Sequence, residues 1–416
     1  MQGGWHRYKE GVMTGVALVA VGGVLQAVVG RIDWSRAAFP VNLLLLVLFL
    51  AGLGGMHTFR SKVGLFDRLG RLPASVSALG WVMGVTVLMG CIRQTPSHLL
   101  SDGVEVWPDF SRMLSSWSFV LLYVWMTVVL GLVILRRIYP FRWSKIPFLL
   151  HHVGLFVVMV TATLGSSDRK CLRMTLVLGE LGRFAWSETD RRSVELPWTV
   201  ELKEFVLDEY PPVLVLMDKE TGKALPAEAP LRWVLEAGVE QGGFTDWDLK
   251  IVRSIPEAVP VAEEGRLDFV ASRSVGAVYA VCLEAVHRKT KVRKEGWVSG
   301  GSFMFLGELL ELDEHVCVAM MDREPRRFAS RVVLNGGNGV RKEGVMEVNR
   351  PLEQDGWGMY LLGYDNAKGR WSDGCVVGLV YDPWQPYIYA GILFMMAGAV
   401  CLFVMAQSGK WKEETV

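Results

Sequence analysis

Apolar residues run almost unbroken over positions 11–30, 41–56, 75–92, 118–135 and 147–165, and once more over 387–406. A helix needs roughly 17–25 such residues to cross the hydrocarbon of a bilayer, so each run predicts a membrane-spanning helix. The second run is the shortest and reaches that length only if Phe39, Pro40 or Met56-His57 extend it. The pattern changes between the fifth and sixth runs. Apolar and polar positions alternate there in β-branched stretches: Thr199-Val-Glu-Leu-Lys-Glu-Phe-Val-Leu207, Val213-Leu-Val-Leu-Met217, Ala277–Val286, Arg331-Val-Val-Leu334 and Val376–Tyr381. Turn-forming residues separate them, as in Lys219-Glu-Thr-Gly222, Asn335-Gly-Gly-Asn338 and Asn366-Ala-Lys-Gly369. Many short strands with polar turns predict a sandwich or an open barrel. No fixed-period repeat interrupts this plan.

Charge orients the predicted spans, because Lys and Arg collect in cytoplasmic loops. Arg7 and Lys9 precede the first span. Arg60, Lys62, Arg68 and Arg71 lie between the second and third, Arg136, Arg137, Arg142 and Lys145 between the fourth and fifth, and Lys410 and Lys412 follow the last. The alternate loops hold Arg31, Arg36, Arg93 and Arg112 mixed with Asp33, Asp102, Glu105 and Asp109. Both termini are therefore expected in the cytoplasm and residues 166–386 on the outer side. The first apolar run is long and lacks a clear small-residue cleavage site, so it is expected to stay as an anchor. The predicted fold class is a multi-span α-helical membrane protein. It has six transmembrane helices and a large, mainly β extracytoplasmic domain between helices 5 and 6. The expected divisions are a five-helix bundle over 1–166, the β-rich domain over 167–386, and a last helix with a short tail over 387–416.

Composition agrees with a mixed architecture: 51% hydrophobic and 21% charged residues, and a mean hydropathy of +0.28, are too apolar for one soluble domain and too charged for a helix bundle alone. A formal net charge of +1, with no basic block interleaved with aromatics, gives no footprint for nucleic acid. Several of the sixteen tryptophans (Trp5, Trp34, Trp117, Trp143, Trp384, Trp411) fall near the predicted membrane boundaries, where indole is favoured; the Ser115–Phe119 stretch reads the same way. Six cysteines are dispersed. Cys91 and Cys401 lie in apolar runs, and Cys171, Cys282, Cys317 and Cys375 belong to the β-rich part, where spacing cannot pair them. No CxxC supports thiol exchange, and no CxxCH provides a covalent haem site.

The chain carries no P-loop, GxSxG or HExxH motif. The sharpest candidate chemistry is a histidine pair inside the fifth run, Phe148-Leu-Leu-His-His-Val-Gly-Leu-Phe156. Imidazole within a span is costly unless it lines a protein interior, a water path or a metal site. His152 sits roughly 7–8 Å below the cytoplasmic end of its helix at 1.5 Å per residue. Its Nε2 can ligate iron, and imidazole is a standard axial haem ligand; the alternative is a hydrogen bond to a neighbouring helix. His151 points about 100° away around the helix, so the two cannot both face one partner well. His57, at similar depth, is a candidate second ligand or an interfacial residue. His98 is a candidate relay site or a solvated loop residue, and His287 and His315 have no clustered partners. Arg326 and Arg327 can hold a carboxylate or a propionate bidentately, or serve in surface ion pairs.

Four stretches stand out: Ala38-Phe-Pro-Val-Asn-Leu-Leu-Leu-Leu-Val-Leu48, Met113-Leu-Ser-Ser-Trp-Ser-Phe-Val-Leu-Leu-Tyr-Val-Trp125, Phe148–Phe156 continuing to Leu172-Arg-Met-Thr175, and Glu347-Val-Asn-Arg-Pro-Leu-Glu-Gln-Asp-Gly-Trp-Gly-Met-Tyr-Leu-Leu-Gly-Tyr-Asp365. Together they resemble the ResB/CcsB family of cytochrome c biogenesis proteins. The resemblance implies a subunit of a bacterial inner-membrane cytochrome c synthase. With a CcsA-type partner it would take haem b across the membrane and present it for attachment to CxxCH motifs of apocytochrome c. It further implies His152 as an axial ligand of transmembrane haem, with the opposing ligand and the tryptophan-rich haem-handling motif on the partner. The chain would then not be catalytic alone. Two readings compete: a transporter subunit whose histidines relay protons, and a membrane scaffold whose outer domain docks a partner without haem. The absence of an inverted repeat weighs against the first.

Overall fold

A computed structural model of the chain describes residues 2–94, 110–236, 238–244, 246–263, 266–336 and 339–407. His98, Asp102, Glu105, Asp109, Asn338, Lys410, Trp411 and Lys412 lie outside these. The chain divides into two compact units. One comprises residues 1–171, 188–190 and 380–416; the other comprises 172–187 and 191–379.

The first unit is helical: α1 (Gln2–Val29), α2 (Val41–Thr58), α3 (Gly64–Leu69), α4 (Leu72–Cys91), α5 (Trp117–Ile138), α6 (Ile146–Gly165) and α7 (Gln385–Gln407). Among the described residues, all but the short α3 are long and apolar enough to cross a membrane. The second span, short in sequence, reaches full length because α2 continues through His57 and Thr58 into a 3₁₀ turn at Phe59–Ser61. Helices α4 and α6 start a little earlier than their apolar runs, with Pro73 and Pro147 in the first turn. Proline is suited to that position because its missing N–H has no helical acceptor there.

Helix α5 is the hub. Leu122, Trp125 and Val129 pack with Ala78 and Val82 of α4 and with Leu18 and Val19 of α1. Span α5 is 39% buried, against 11% for α1, α2 and α7, so the outer helices present most of their apolar surface outward, as lipid-facing helices do. The short α3, invisible as an apolar run, is held by Asp67. Its carboxylate accepts from Arg136 Nη2 at 2.8 Å and pairs with Arg71, joining the loop to the end of α5.

Helices α6 and α7 also meet at close range. A Cβ on Gly154 would lie 2.4 Å from the Met395 nitrogen and 2.5 Å from the Gly391 carbonyl oxygen. A Cβ on Gly398 would lie 2.3 Å from the His151 nitrogen. Small residues let the backbones meet, the usual means of association where lipid is as apolar as the helices.

The second unit is β, with mainly antiparallel ladders. Its strands, numbered from the segment that enters it, begin with β1 (Lys170–Val177), β2 (Leu181–Ser187), β3 (Arg192–Glu209), β4 (Val213–Asp218), β5 (Ala224–Leu225) and β6 (Arg232–Val234). They continue with β7 (Gln241–Phe244), β8 (Trp247–Glu263), β9 (Arg266–Ala271), β10 (Val278–His287), β11 (Arg293–Ser299) and β12 (Leu310–Glu311). The last are β13 (Val316–Met320), β14 (Pro325–Asn335), β15 (Arg341–Glu347), β16 (Leu352–Gln354), β17 (Trp357–Tyr364) and β18 (Gly374–Tyr381).

An eight-stranded sheet runs in the order β15-β14-β3-β2-β1-β18-β17-β16. It curls so that inward residues of distant strands share one core, including Met174, Trp198, Leu202, Val332, Met359 and Val377. Leu352 of β16 comes to meet Gly344 of β15, so the ends of the sheet approach each other like an open barrel. Two five-stranded sheets, β11-β10-β8-β7 with β9 on β8 and β12-β13-β4-β5 with β6 on β4, face each other over Leu214, Trp233, Phe244, Leu283, Val298 and Val318 as a sandwich. The strands are not uniformly short: β3 has 18 residues and β8 has 17. Register shifts at Arg331/Val332 and Cys282/Leu283 mark bulges that bend such long ribbons. In the Pro351–Asp365 segment, β16 and β17 form a hairpin whose turn places Asp355 (φ 49) and Gly356 (φ 80) in the left-handed region, as a two-residue turn requires.

Gly398→Leu is expected to lower the thermal unfolding midpoint in detergent, at a cost of about 1–3 kcal/mol for overpacking a close contact. Gly80→Leu, where the added group meets nothing within 4 Å, is expected to leave it unchanged. Equal midpoints for the two variants would remove the α6–α7 contact from the stability of the bundle.

Candidate functional site

The histidine pair lies in the second turn of α6. Both rings are partly buried. His152 Nδ1 is 2.9 Å from the carbonyl oxygen of Phe148, one turn back, and its ring stacks on the Phe148 ring at 3.8 Å. The Arg137 guanidinium lies over that same phenyl ring at 5.2 Å. His151 Nδ1 is 3.1 Å from the carbonyl oxygen of Met395 in α7. The two imidazoles sit 5.4 Å apart at 76°, so they address different directions, as their helical spacing requires.

These contacts fix the tautomers. A carbonyl oxygen only accepts, so each Nδ1 carries the proton and donates it. In the neutral imidazole Nε2 then holds the lone pair. Metal-ligating histidines show this arrangement, with the distal ring N–H held by a backbone carbonyl or a carboxylate and the other nitrogen available for the metal. The donor chemistry of His152 and His151 therefore fits an axial ligand.

His57 differs. Arg60 Nη1 lies 3.1 Å from both of its ring nitrogens, so a cationic donor competes for its lone pair. Among the described residues, no ring contact brings His57 to the pair, and no three His, Cys, Asp or Glu side chains converge as a metal cluster. His287 accepts from the Thr290 N–H at 3.1 Å and meets Trp247 edge-on at 5.0 Å, which is a turn-forming role. His315 is exposed in a turn capped by Asp313. The cysteines are free thiols, with Cys282, Cys317 and Cys375 buried. Burial pushes these three thiols above their ordinary pKa, so they are poor nucleophiles.

A second constellation escaped the sequence reading. Asp168, just past α6, accepts three hydrogen bonds: from the Phe39 N–H at 2.7 Å, from Asn42 Nδ2 at 2.6 Å and from Trp384 Nε1 at 2.7 Å. Asn42 is fully buried at the start of α2 and also donates to the Leu164 carbonyl at 3.1 Å. Trp384 packs on Gly165. One carboxylate thus ties the ends of α2, α6 and α7. Burial works against its charge, but the three donors outweigh it and hold the carboxyl below its ordinary value. The available signal was Asn42, an amide at the head of an otherwise apolar run.

Arg326 and Arg327, singled out for carboxylate binding, diverge in role. Arg327 pairs with Asp208 at 3.4 Å and with Glu347. Arg326 is exposed and, with Arg327, lines a cavity of the β-rich unit.

No protein-family model matches the chain, and no curated protein matches it.

Asp168→Asn is expected to cost about 1.5–3 kcal/mol at neutral pH, the range for hydrogen bonds to a charged group. Because the folded carboxyl sits below its ordinary value, its contribution is complete above the ordinary carboxylate range and is lost as pH falls through the lowered value. Thermal midpoints of wild type and variant, followed from neutral pH down to about pH 3, should therefore draw closer toward the acid end. A gap that stays constant over that interval would show that the charge of Asp168 is not what matters.

Proposed function

We propose that the chain is a haem-handling membrane subunit of a cytochrome c synthase, working with a CcsA-type partner and using His152 as an axial ligand to haem during transfer. The observation that carries this reading is the Nδ1–H donation from His152 to the Phe148 carbonyl, which leaves Nε2 as a lone-pair donor within a span. Haem is the cargo here. It is largely apolar with two anionic propionates, and a helix bundle that supplies an axial nitrogen gives its iron a ligand on the way across. Phe148, stacked on the imidazole, restrains the ring plane and keeps water from one of its faces. The sequence resemblance at Phe148–Phe156 and Glu347–Asp365 adds to this reading. The same resemblance gives apocytochrome c as the acceptor and assigns the second axial ligand to the partner.

On this reading both termini lie in the cytoplasm of a bacterial inner membrane and the β-rich unit lies on the outer side, where haem attachment takes place; the bias of Lys and Arg supports that orientation. His151 has the same donor pattern, but its proton is spent on α7, so its loss would also loosen a helix contact.

The test is an absorption spectrum of the protein purified with its CcsA-type partner, for wild type, His152→Ala and His151→Ala. The expected result is a reduced bis-histidine haem spectrum that is lost or shifted in His152→Ala and kept in His151→Ala. A wild-type complex without haem, or an unchanged spectrum in His152→Ala, would overturn the assignment and favour the scaffold reading.

A further inference from the structure

The second unit contains a cavity of about 630 Å³ bordered by four arginines, Arg323, Arg326, Arg327 and Arg370, against two carboxylates, Asp208 and Glu209. The strand geometry explains the excess. Pro325 pairs with Glu209 while Arg327 pairs with Asp208, so Arg326 is the extra residue of a bulge in β14. Neighbours on a regular strand point to opposite faces. A bulge breaks that alternation and re-aims side chains, and here both Arg326 and Arg327 reach one cavity.

The carboxylates neutralise only part of the set. Arg323 pairs with Glu209 at 2.8 Å, and Arg327 pairs with Asp208 and Glu347. Among the described residues Arg326 makes no ion pair. Arg370 donates to the Ala277 carbonyl at 2.9 Å; of the two carboxylates that attract it, Glu209 is paired with Arg323 and Glu257 stands at 3.9 Å, beyond hydrogen-bond range. Burial lowers the pKa of Arg370, a cost that a bound anion would offset. Two guanidinium groups are thus left with donors to spare.

An adjoining cavity of about 340 Å³ shares Glu209, Arg323 and Arg370 and has an apolar wall that includes Phe303, Met321 and Trp371. This wall is held in place. Trp371 Nε1 donates to the Ala277 carbonyl at 3.2 Å, and the Arg370 guanidinium lies 4.8 Å from the Trp371 ring centre. The loop that bears Phe303 is pinned by Ser302, which donates to the Gly276 carbonyl at 2.7 Å and accepts the Met304 and Phe305 N–H groups at 3.2 and 3.3 Å.

We propose that the joined cleft is a binding site for an aromatic carboxylate, with the carboxylate on Arg370 and Arg326 and the ring against Phe303 and Trp371. A planar fork of N–H donors matches a carboxylate, and a flat aromatic body suits a wall of aromatic and methionine side chains. The site stands independently of haem handling, because none of its groups belongs to the helical unit.

The test uses the full chain in lipid nanodiscs and isothermal titration calorimetry with 2-naphthoate at fixed ionic strength. Empty nanodiscs provide the blank, and uncharged 2-naphthamide is the control. The expected result is saturable binding of the naphthoate and none of the amide. Arg326→Gln should weaken binding about tenfold, as the loss of one charge-assisted bond does, with an unchanged unfolding midpoint because Arg326 is exposed. Arg370→Gln should weaken it at least as much; should that variant fail to fold, Arg326→Gln decides. Absence of saturable naphthoate binding, equal binding of the amide, or unchanged affinity in Arg326→Gln would each overturn the proposal.

Discussion

The close approach of α6 and α7 is the constraint on which the histidine pair depends. Lipid gives helices no hydrophobic reason to associate, so contact has to come from packing and hydrogen bonds. Gly154, Gly391 and Gly398 remove the side chains that would hold the two backbones apart. That proximity brings the Met395 carbonyl within 3.1 Å of His151 Nδ1. Beyond the far end of α6, Asp168 gathers Phe39, Asn42 and Trp384. The helix that carries both imidazoles is thereby tied to α7 near each of its ends. Its rotation is fixed about its own axis, and with it the directions in which His151 and His152 face.

Much of this was legible in the sequence because one-dimensional patterns govern it. The six spans follow from run length, and the β-rich region follows from alternation and turn residues such as Thr221-Gly222. What was not legible depends on residues far apart in the chain. Asp168 looks like an ordinary charged residue after a span, and only the fold brings it to Asn42 and Trp384. The bulge at Arg326 is equally hidden, because it comes from the mismatch in pairing between β14 and β3 and not from either strand alone. Helix α3 was missed because six residues with two charges make no apolar run. Its order comes from Asp67 and Arg136.

The β-rich unit solves its burial problem twice. The eight-stranded sheet curls around its own core, while the two five-stranded sheets bury their inner faces against each other. The arginine-lined cavity draws on the end of β3 and the bulged start of β14 in the curled sheet, while the adjoining cavity draws on Tyr279 of β10 and Met320 of β13 in the sandwich. Glu209, Arg323 and Arg370 belong to both cavities. A cleft where two cores meet is where neither can close over its own edges, and charged side chains there cost less than they would inside either core.

The two adjacent histidines illustrate why residue type alone does not assign a role. Each donates Nδ1–H to a carbonyl and keeps a lone pair on Nε2. The acceptor of His151 belongs to another helix, so that imidazole is part of the α6–α7 contact as well as a potential ligand. The acceptor of His152 is Phe148 on the same helix, and its ring rests on the Phe148 side chain. Among the described residues His152 therefore carries no share of the interhelical hydrogen bonding, and its orientation is set within its own helix. A ligand that must engage and release a cargo is better separated from the contacts that hold the bundle together, and of the two histidines only His152 meets that condition.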